Sequence, residues 1–357
     1  METKDNKVNI GNKNSMRSIM SKFYIKCILI TIPFLLLIAY YVNKDPFLVI
    51  RPHNDYDHST ICLDEGAASW YKYKLYRHSQ HYDSFIMGTS CTMAYRCDDW
   101  NKYIHAHPYR LFGNAEGLVD LYMKLNALDK QPDQPIKNLL LIFEQSLLSK
   151  NYMQSGPCYL MPPDVSHVSW LYYQMTFLQD FLDPLFLVPY LKFELTNRYE
   201  HSMKGIINPY GRSHFGYAND AIHPNELLIK KKGERYWESG YWYKFGSRRF
   251  VATPGKEFSP TVFKVQQYYL RKIKEICDKH HTNIKIVIAP ILERRKLNDN
   301  DVSIIRKIFG SDNVFDFSSS TDTSIFDKHN FYDGVHYRTI LGRKIINSVY
   351  NKRSVMK

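Results

Sequence analysis

Apolar positions along the chain fall into runs of three kinds. From 27 to 42 the sequence reads CILITIPFLLLIAYYV, with no charged residue. Counted from Phe23, the stretch holds about twenty residues, enough to cross a hydrocarbon core of ~30 Å, and Lys26 can snorkel at its inner end. Shorter unbroken runs follow at 83–87 (DSFIM), 138–143 (NLLLIF), 283–289 (NIKIVIA) and 313–317 (NVFDF). These predict strands, and the two longest have the pattern of strands buried on both faces. Between them, apolar residues recur at helical spacing. Leu118, Leu121, Tyr122, Leu125 and Leu128 mark a helix in 115–128, and Val265, Tyr268, Tyr269, Ile273 and Ile276 mark one in 262–280. Ile340, Leu341, Ile345, Ile346 and Val349 mark a closing helix over 339–350. Shorter helices are expected at 67–75 and 301–309.

Strands that alternate with helices predict an α/β fold, a mainly parallel sheet inside a three-layer sandwich. The rhythm breaks from about 150 to 260, where an aromatic helical stretch (169–195) gives way to turn-rich sequence such as Ile207-Asn208-Pro209-Tyr210-Gly211. That interval reads as an aromatic-rich insertion, too long for a plain loop. Residues 1–22 then form a cytoplasmic tail, 23–43 a transmembrane anchor, 44–80 a stalk and lead-in helix, and 81–350 an extracytoplasmic domain. The orientation follows from Lys4, Lys7, Lys13, Arg17 and Lys22 before the apolar run, because positive residues stay inside. No small-x-small cleavage site follows, and Tyr40-Tyr41 suit an interfacial belt. The run therefore reads as an uncleaved single-pass anchor in the plasma or inner membrane, not a signal peptide.

Composition narrows the partners. The net charge is +13, yet the strongest basic run is only Lys230-Lys231-Lys232. Nothing reads as a nucleic-acid footprint, and the spread surplus suits anionic lipid heads or acidic envelope polymers. Arg248-Arg249 is a second candidate contact for such a polymer. Cys62, Cys91, Cys97, Cys158 and Cys277 follow the anchor with no close CxxC pair, and their number is odd. His105, His107, His280 and His281 lack acidic company at ligand spacing, so neither a metal nor another cofactor is expected. Trp170, Tyr172, Tyr173, Trp237, Tyr241, Trp242 and Tyr243 crowd the insertion, either as a glycan-stacking platform or as its local core.

Candidate chemistry begins at Gly88-Thr89-Ser90, at the exit of the first expected strand. Ligands of open α/β sheets collect at the carboxyl ends of strands. A serine hydroxyl needs a base to take its proton, usually a histidine held by a carboxylate. Asp333-Gly334-Val335-His336, just before the closing helix, offers that pair at a spacing that lets the carboxylate reach Nδ1 and leaves Nε2 free.

Together, G-x-S after strand one and D-x-x-H before the last helix resemble the blocks of the SGNH (GDSL-like) hydrolase superfamily, whose sheet is flavodoxin-like. Phe331-Tyr332, Tyr337, Gly342 and the N-terminal anchor look like its membrane-anchored branch. That branch includes teichoic-acid D-alanylation proteins and alginate- and peptidoglycan-type O-acetyltransferases. The likeness covers the anchor, 83–145 and 262–350, but not the insertion. It implies a serine acyltransferase or esterase acting on extracellular or cell-envelope polysaccharide through an acyl-serine, with a membrane-bound O-acyltransferase as a possible acyl donor. Ser90 would be the nucleophile, His336 the base and Asp333 its orienter. The oxyanion hole would draw on Ser90 N–H, Gly113 or Gly117, and Gln145. Two positions depart from the pattern. Thr89 stands where Asp or Ser is usual, and Glu144-Gln145-Ser146 replaces a block that normally carries Asn. The second departure keeps open a catalytically inactive scaffold or binding protein of a polysaccharide modification or export complex.

Overall fold

A computed structural model describes residues 5–209, 212, 214–247 and 253–351. Lys4, Tyr210, Gly211, Arg248 and Arg249, singled out above, lie outside the described residues. Helix α1 spans Asp5–Lys44. Its segment Ile19–Lys44, 26 residues, is long and apolar enough to cross a membrane. Helix α2 (Glu65–Gln80) follows, capped by Asp64, whose carboxylate accepts from the Gly66 and Ala67 N–H groups.

The α/β expectation holds. Strands β1 (Ser84–Gly88), β2 (Pro108–Phe112), β3 (Asn138–Phe143), β4 (Asn283–Ile288) and β5 (Val314–Asp316) form one sheet in the order β2-β1-β3-β4-β5. Every pairing in it is parallel. The chain reverses its direction of travel across the sheet between β1 and β3, and ligands bind at the carboxyl rim of such a switch point.

Alternation along the strands feeds two cores. Phe85, Met87, Leu139, Leu141, Phe143, Ile284, Ile286 and Ile288 face one cluster, closed by α2, α4 (Leu118–Asp129), α8 (Lys264–Lys279) and α9 (Asp299–Phe309). Ile86, Leu140, Ile142 and Val287 face the other, closed by α3 (Cys97–Ile104) and α10 (Thr339–Tyr350). Each such side chain removed from water contributes roughly 1.5–3 kcal/mol, which fixes the strand register.

Strand β2 is the element that apolar patterning does not predict. Pro108 and Arg110 interrupt its alternation, yet Arg110 is fully buried. Its Nη1 donates to Thr92 Oγ1 at 3.1 Å and its Nε to the Asn219 carbonyl at 3.0 Å, so tertiary partners make the strand tolerable.

The insertion holds helices α5 (Trp170–Leu182), α6 (Pro184–Thr196) and α7 (Pro224–Lys232). The expected single stretch 169–195 breaks at Asp183-Pro184, where Asp183 caps α6. Residues 45–63 fold against this insertion rather than standing clear of it. Phe47, Val49, Ile61 and Leu63 share a third core with Phe177, Phe181, Phe186 and Tyr190. Of the insertion aromatics, Tyr173, Trp237 and Trp242 are buried, whereas Trp170, Tyr172 and Tyr243 are exposed. All six cysteines are free.

Candidate active site

Gly88 ends β1 with φ +145°, a conformation that L side chains rarely adopt. A Cβ there would also lie 2.7 Å from the Ile142 carbonyl oxygen of the adjacent strand. The glycine therefore lets the chain leave the sheet sharply. Thr89 is extended, and Ser90 opens a 3₁₀ turn, Ser90–Ala94, pinned by the Thr92 hydroxyl donating to the Thr89 carbonyl at 2.8 Å. Ser90 thus stands at the rim beside the switch point.

The acid–imidazole segment is a tight loop. Phe331 and Tyr337 form an antiparallel bridge, and the Tyr332 N–H donates to the His336 carbonyl at 2.8 Å. Inside the loop, Asp333 Oδ1 accepts the Val335 and His336 N–H groups at 2.9 and 2.8 Å. Its Oδ2 lies 2.8 Å from His336 Nδ1. His336 Nε2 in turn lies 2.8 Å from Ser90 Oγ.

Two segments 246 positions apart are therefore in hydrogen-bond contact. Helix α10 carries the loop there. A Cβ on Gly342 would sit 2.0 Å from the Ala94 carbonyl oxygen, so only glycine allows α10 to lie directly on the Ser90 turn. The buried Tyr95 and Tyr337 hydroxyls meet at 2.9 Å and fix the same approach.

Electrostatics assign the protons. Burial pushes the Asp333 carboxyl up, but the His336 hydrogen bond and charge, with the two backbone donors, outweigh it and hold its pKa low. An ionised Asp333 accepts only, so Nδ1 carries the imidazole proton and Nε2 receives the Ser90 hydroxyl. Burial pushes His336 down, and the Asp333 hydrogen bond and charge, joined by Glu144, raise it above its ordinary value. The His336 side chain keeps 25% of its surface exposed, enough for a substrate to reach it.

The candidate oxyanion donors do not all converge. The Gly117 N–H donates to Asp120 Oδ2 at 2.9 Å and caps α4, so it is unavailable. That removes Gly117, because its place before α4 commits its donor to the helix terminus. Gly113 caps no helix among the described residues. It follows β2 directly, one residue past the Gly88–Phe112 pairing, and so stands at the rim next to Thr89. Beneath it, Glu116 pairs with the buried Lys124. Gln145 begins a short helix after β3 and lines a cleft beside the site.

Two neighbours escape the sequence reading. Glu144 accepts the Thr89 hydroxyl on Oε1 and the Ser146 hydroxyl on Oε2, the latter at 3.2 Å. Its one signal was a charged residue ending an unbroken apolar strand. His223 comes from the insertion. Its ring stacks on Tyr332 at 4.2 Å and lies 5.4 Å from the His336 ring. Burial, then the His336 charge, lower its pKa to about 4, against opposing pulls from Asp333 and Glu226. Nδ1 accepts the Asn225 N–H at 3.2 Å, so neutral His223 carries its proton on Nε2.

His223, Asp333 and His336 offer ligand atoms within 4.8 Å of one another. However, both His336 nitrogens and both Asp333 oxygens already serve hydrogen bonds of the site. A metal there would have to displace the serine–imidazole contact.

The cleft beside the site has a volume of about 180 Å³. Phe258, Ile288, Ala289, Ile291, Leu297 and Val335 give it apolar walls, and Glu144 and Gln145 stand at its edge. It opens next to Val335 of the acid–imidazole loop, whose carbonyl accepts the Cys91 thiol at 3.6 Å.

Compared with known proteins, the chain matches no family model and no curated sequence, so its chemistry has to be argued from this geometry.

Proposed function

We propose that the chain is a serine acyltransferase or esterase that works through an acyl-serine, tethered to a membrane by α1 with its α/β domain on the extracytoplasmic side. The observation that carries this reading is the unbroken relay Ser90 Oγ–His336 Nε2 and His336 Nδ1–Asp333 Oδ2, each at 2.8 Å. The strand order, the two covered sheet faces and the positions of both blocks also support the SGNH-like three-layer sandwich that the sequence resemblance implies.

The steps follow from the proton assignments. His336 Nε2 takes the Ser90 proton as Oγ attacks an ester carbonyl, and the carbonyl π pair moves to oxygen. Ser90 N–H and Gly113 N–H receive that oxyanion, with the Gln145 amide as the third donor. The intermediate collapses, the ester C–O bond breaks, and imidazolium returns the proton to the departing alkoxide. An incoming hydroxyl, from a polysaccharide or from water, then gives its proton to His336 and attacks the acyl-serine, the acyl–Oγ bond breaks, and the imidazolium returns that proton to Ser90 Oγ. Asp333 stabilises the imidazolium in both halves. The apolar cleft suits the acyl chain. A cavity of about 150 Å³ with apolar walls holds one benzene, so about 180 Å³ suits a short chain of roughly four to six carbons.

One observation favours a second reading, the inactive scaffold. Glu144, a carboxylate, follows β3 where an amide donor is expected, and negative charge near the hole opposes an oxyanion.

The deciding experiment uses a fluorophosphonate probe on the full chain in detergent. Covalent labelling that is lost in Ser90→Ala and His336→Ala supports the enzyme. A wild-type protein that is folded yet unlabelled, with no ester hydrolysis above the Ser90→Ala background, supports the scaffold.

A further inference from the structure

The outer faces of α5 and α6 carry a load of exposed apolar side chains that the proposed chemistry does not use. On α6, Leu185, Val188 and Leu195 are 78%, 62% and 86% exposed. At 100° per residue they fall within one 80° sector, opposite the sector of the buried Phe186, Tyr190 and Phe193. Lys192 lies among them and reaches Glu200 at 2.7 Å, the snorkelling posture of an interfacial lysine. On α5, Trp170 and Leu171 are 63% and 64% exposed, with Met175 one turn on. A helix that is apolar on both faces is normally covered on both.

The covering surface is indicated by where the hairpin sits. Its inner face packs on the outer end of α1. Tyr41 meets Phe181 at 5.0 Å between ring centroids, and Tyr40 meets Tyr190 at 6.4 Å. Lys44 Nζ pairs with Glu194 at 2.6 Å. One turn earlier Leu37 and Ile38 are half-buried, while Leu35 and Leu36 stand exposed. The hairpin therefore grips α1 where the apolar stretch ends. From Tyr40 to Lys44 the helix rises about 6 Å, and the polar layer on each side of a bilayer is roughly 5–8 Å deep. Elements held at that height lie at the level of the lipid headgroups. Arg198 and Lys204, both exposed just past α6, bring positive charge to the same end.

We propose that the α5–α6 hairpin lies in the outer headgroup layer of the membrane that α1 crosses, as a second, lateral attachment to a phospholipid surface. This goes beyond the acyl-transfer reading and is independent of it, but it rests on α1 spanning a bilayer. The two attachments fix the height and tilt of the α/β domain, where a single helix would leave it free to swivel.

The test uses the full chain in vesicles of phosphatidylethanolamine and phosphatidylglycerol. Cys27, Cys62 and Cys158, the exposed cysteines, are replaced by serine. Single cysteines are then introduced as Leu185→Cys, Val188→Cys and Leu195→Cys and labelled with an environment-sensitive NBD dye. Ser303→Cys, exposed on α9, reports water, and Leu29→Cys reports the bilayer interior. All these positions are exposed, so folding is preserved, and near-UV circular dichroism checks it. The expected result is blue-shifted emission at 185, 188 and 195, quenched by lipids brominated near the headgroup, and quenching of Leu29→Cys by lipids brominated deep in the acyl chain, with Ser303→Cys unaffected by either. If Leu29→Cys is quenched while the three hairpin labels behave like Ser303→Cys, the hairpin proposal is overturned and the anchor stands. If Leu29→Cys is also unquenched, the anchor reading fails and takes the proposal with it. Protection of the hairpin labels in native membranes but not in pure lipid means a protein covers this face, and overturns the proposal as well.

Discussion

Replacing Asp333 by Asn tests the relay at its least redundant atom. Asn keeps a carbonyl oxygen in the place of Oδ1, so the Val335 and His336 N–H groups at 2.9 and 2.8 Å retain their acceptor and the loop keeps its shape. The change falls on Oδ2, which becomes an NH₂ donor 2.8 Å from His336 Nδ1. A donor there forces Nδ1 to accept, and the imidazole proton moves to Nε2. Nε2–H then points at Ser90 Oγ and cannot take its proton. A wrong-tautomer triad loses about 10⁴ in kcat, or about 5.5 kcal/mol at 1.36 kcal/mol per decade. Loss of the Asp333 charge also removes the chief support of the raised His336 pKa, so the remaining activity should shift its acid limb to lower pH. The assay is p-nitrophenyl ester hydrolysis by the full chain, with fluorophosphonate labelling rates as a second readout and near-UV circular dichroism as the fold check. A folded Asp333→Asn protein that hydrolyses and labels within tenfold of wild type would refute the proton assignment and the relay with it.

Three further outcomes follow from other contacts. His336 must be neutral to act as a base, and its raised pKa places the acid limb of kcat/KM above the ordinary ~6.5; Glu144→Gln removes one contribution to that rise and should move the limb to lower pH, so a pH profile that moves upward contradicts the assigned role. Gly342→Ala sets a methyl group 2.0 Å from the Ala94 oxygen and should cost at least ~1–3 kcal/mol in urea unfolding, together with most of the serine labelling, because α10 must back away from the Ser90 turn. Ala289→Phe fills the apolar cleft, and the ratio of hexanoyl to acetyl ester turnover should fall at least tenfold; an unchanged ratio means the acyl chain binds elsewhere.

What the sequence discloses, and what it hides, divides along physical lines. The unbroken runs at 138–143 and 283–289 became β3 (Asn138–Phe143) and β4 (Asn283–Ile288) because a strand covered on both faces has few ways to be polar. Ser90, Asp333 and His336 could be named together because each block is local, a glycine before a serine and a carboxylate three residues from an imidazole. What brings them into contact is not local. It depends on a missing Cβ at Gly342, a glycine whose place in the pattern the sequence shows but whose contact with the Ala94 oxygen it does not. Strand β2 was hidden because its central Arg110 is solvated by Thr92 and Asn219 instead of water. Gly113 and Gly117 look alike in sequence, and only the Asp120 cap separates them. His223 carries no motif, since its place beside His336 is set by the insertion.

The insertion ties the two ends of the molecule together. Its α7 holds the acid–imidazole loop from outside, since Glu226 accepts the Tyr332 hydroxyl at 2.7 Å and pairs with Arg338 at 2.9 Å. Tyr236, just past α7, donates to the Tyr332 carbonyl at 2.6 Å, and the Gly334 N–H donates to the Phe245 carbonyl at 3.0 Å. The same insertion grips the end of α1 through α5 and α6. Asp333 and His336 are thus braced on one side by α10 and on the other by the segment that meets the anchor. A loop held only by α10 would feel nothing of the apolar helix. A loop braced from both sides is tied through one inserted segment to the helix that this segment meets. Under the proposed function, in which an acyl group passes from a membrane-embedded donor to an outer polymer, a fixed distance between Ser90 and the bilayer is the property such a brace would supply.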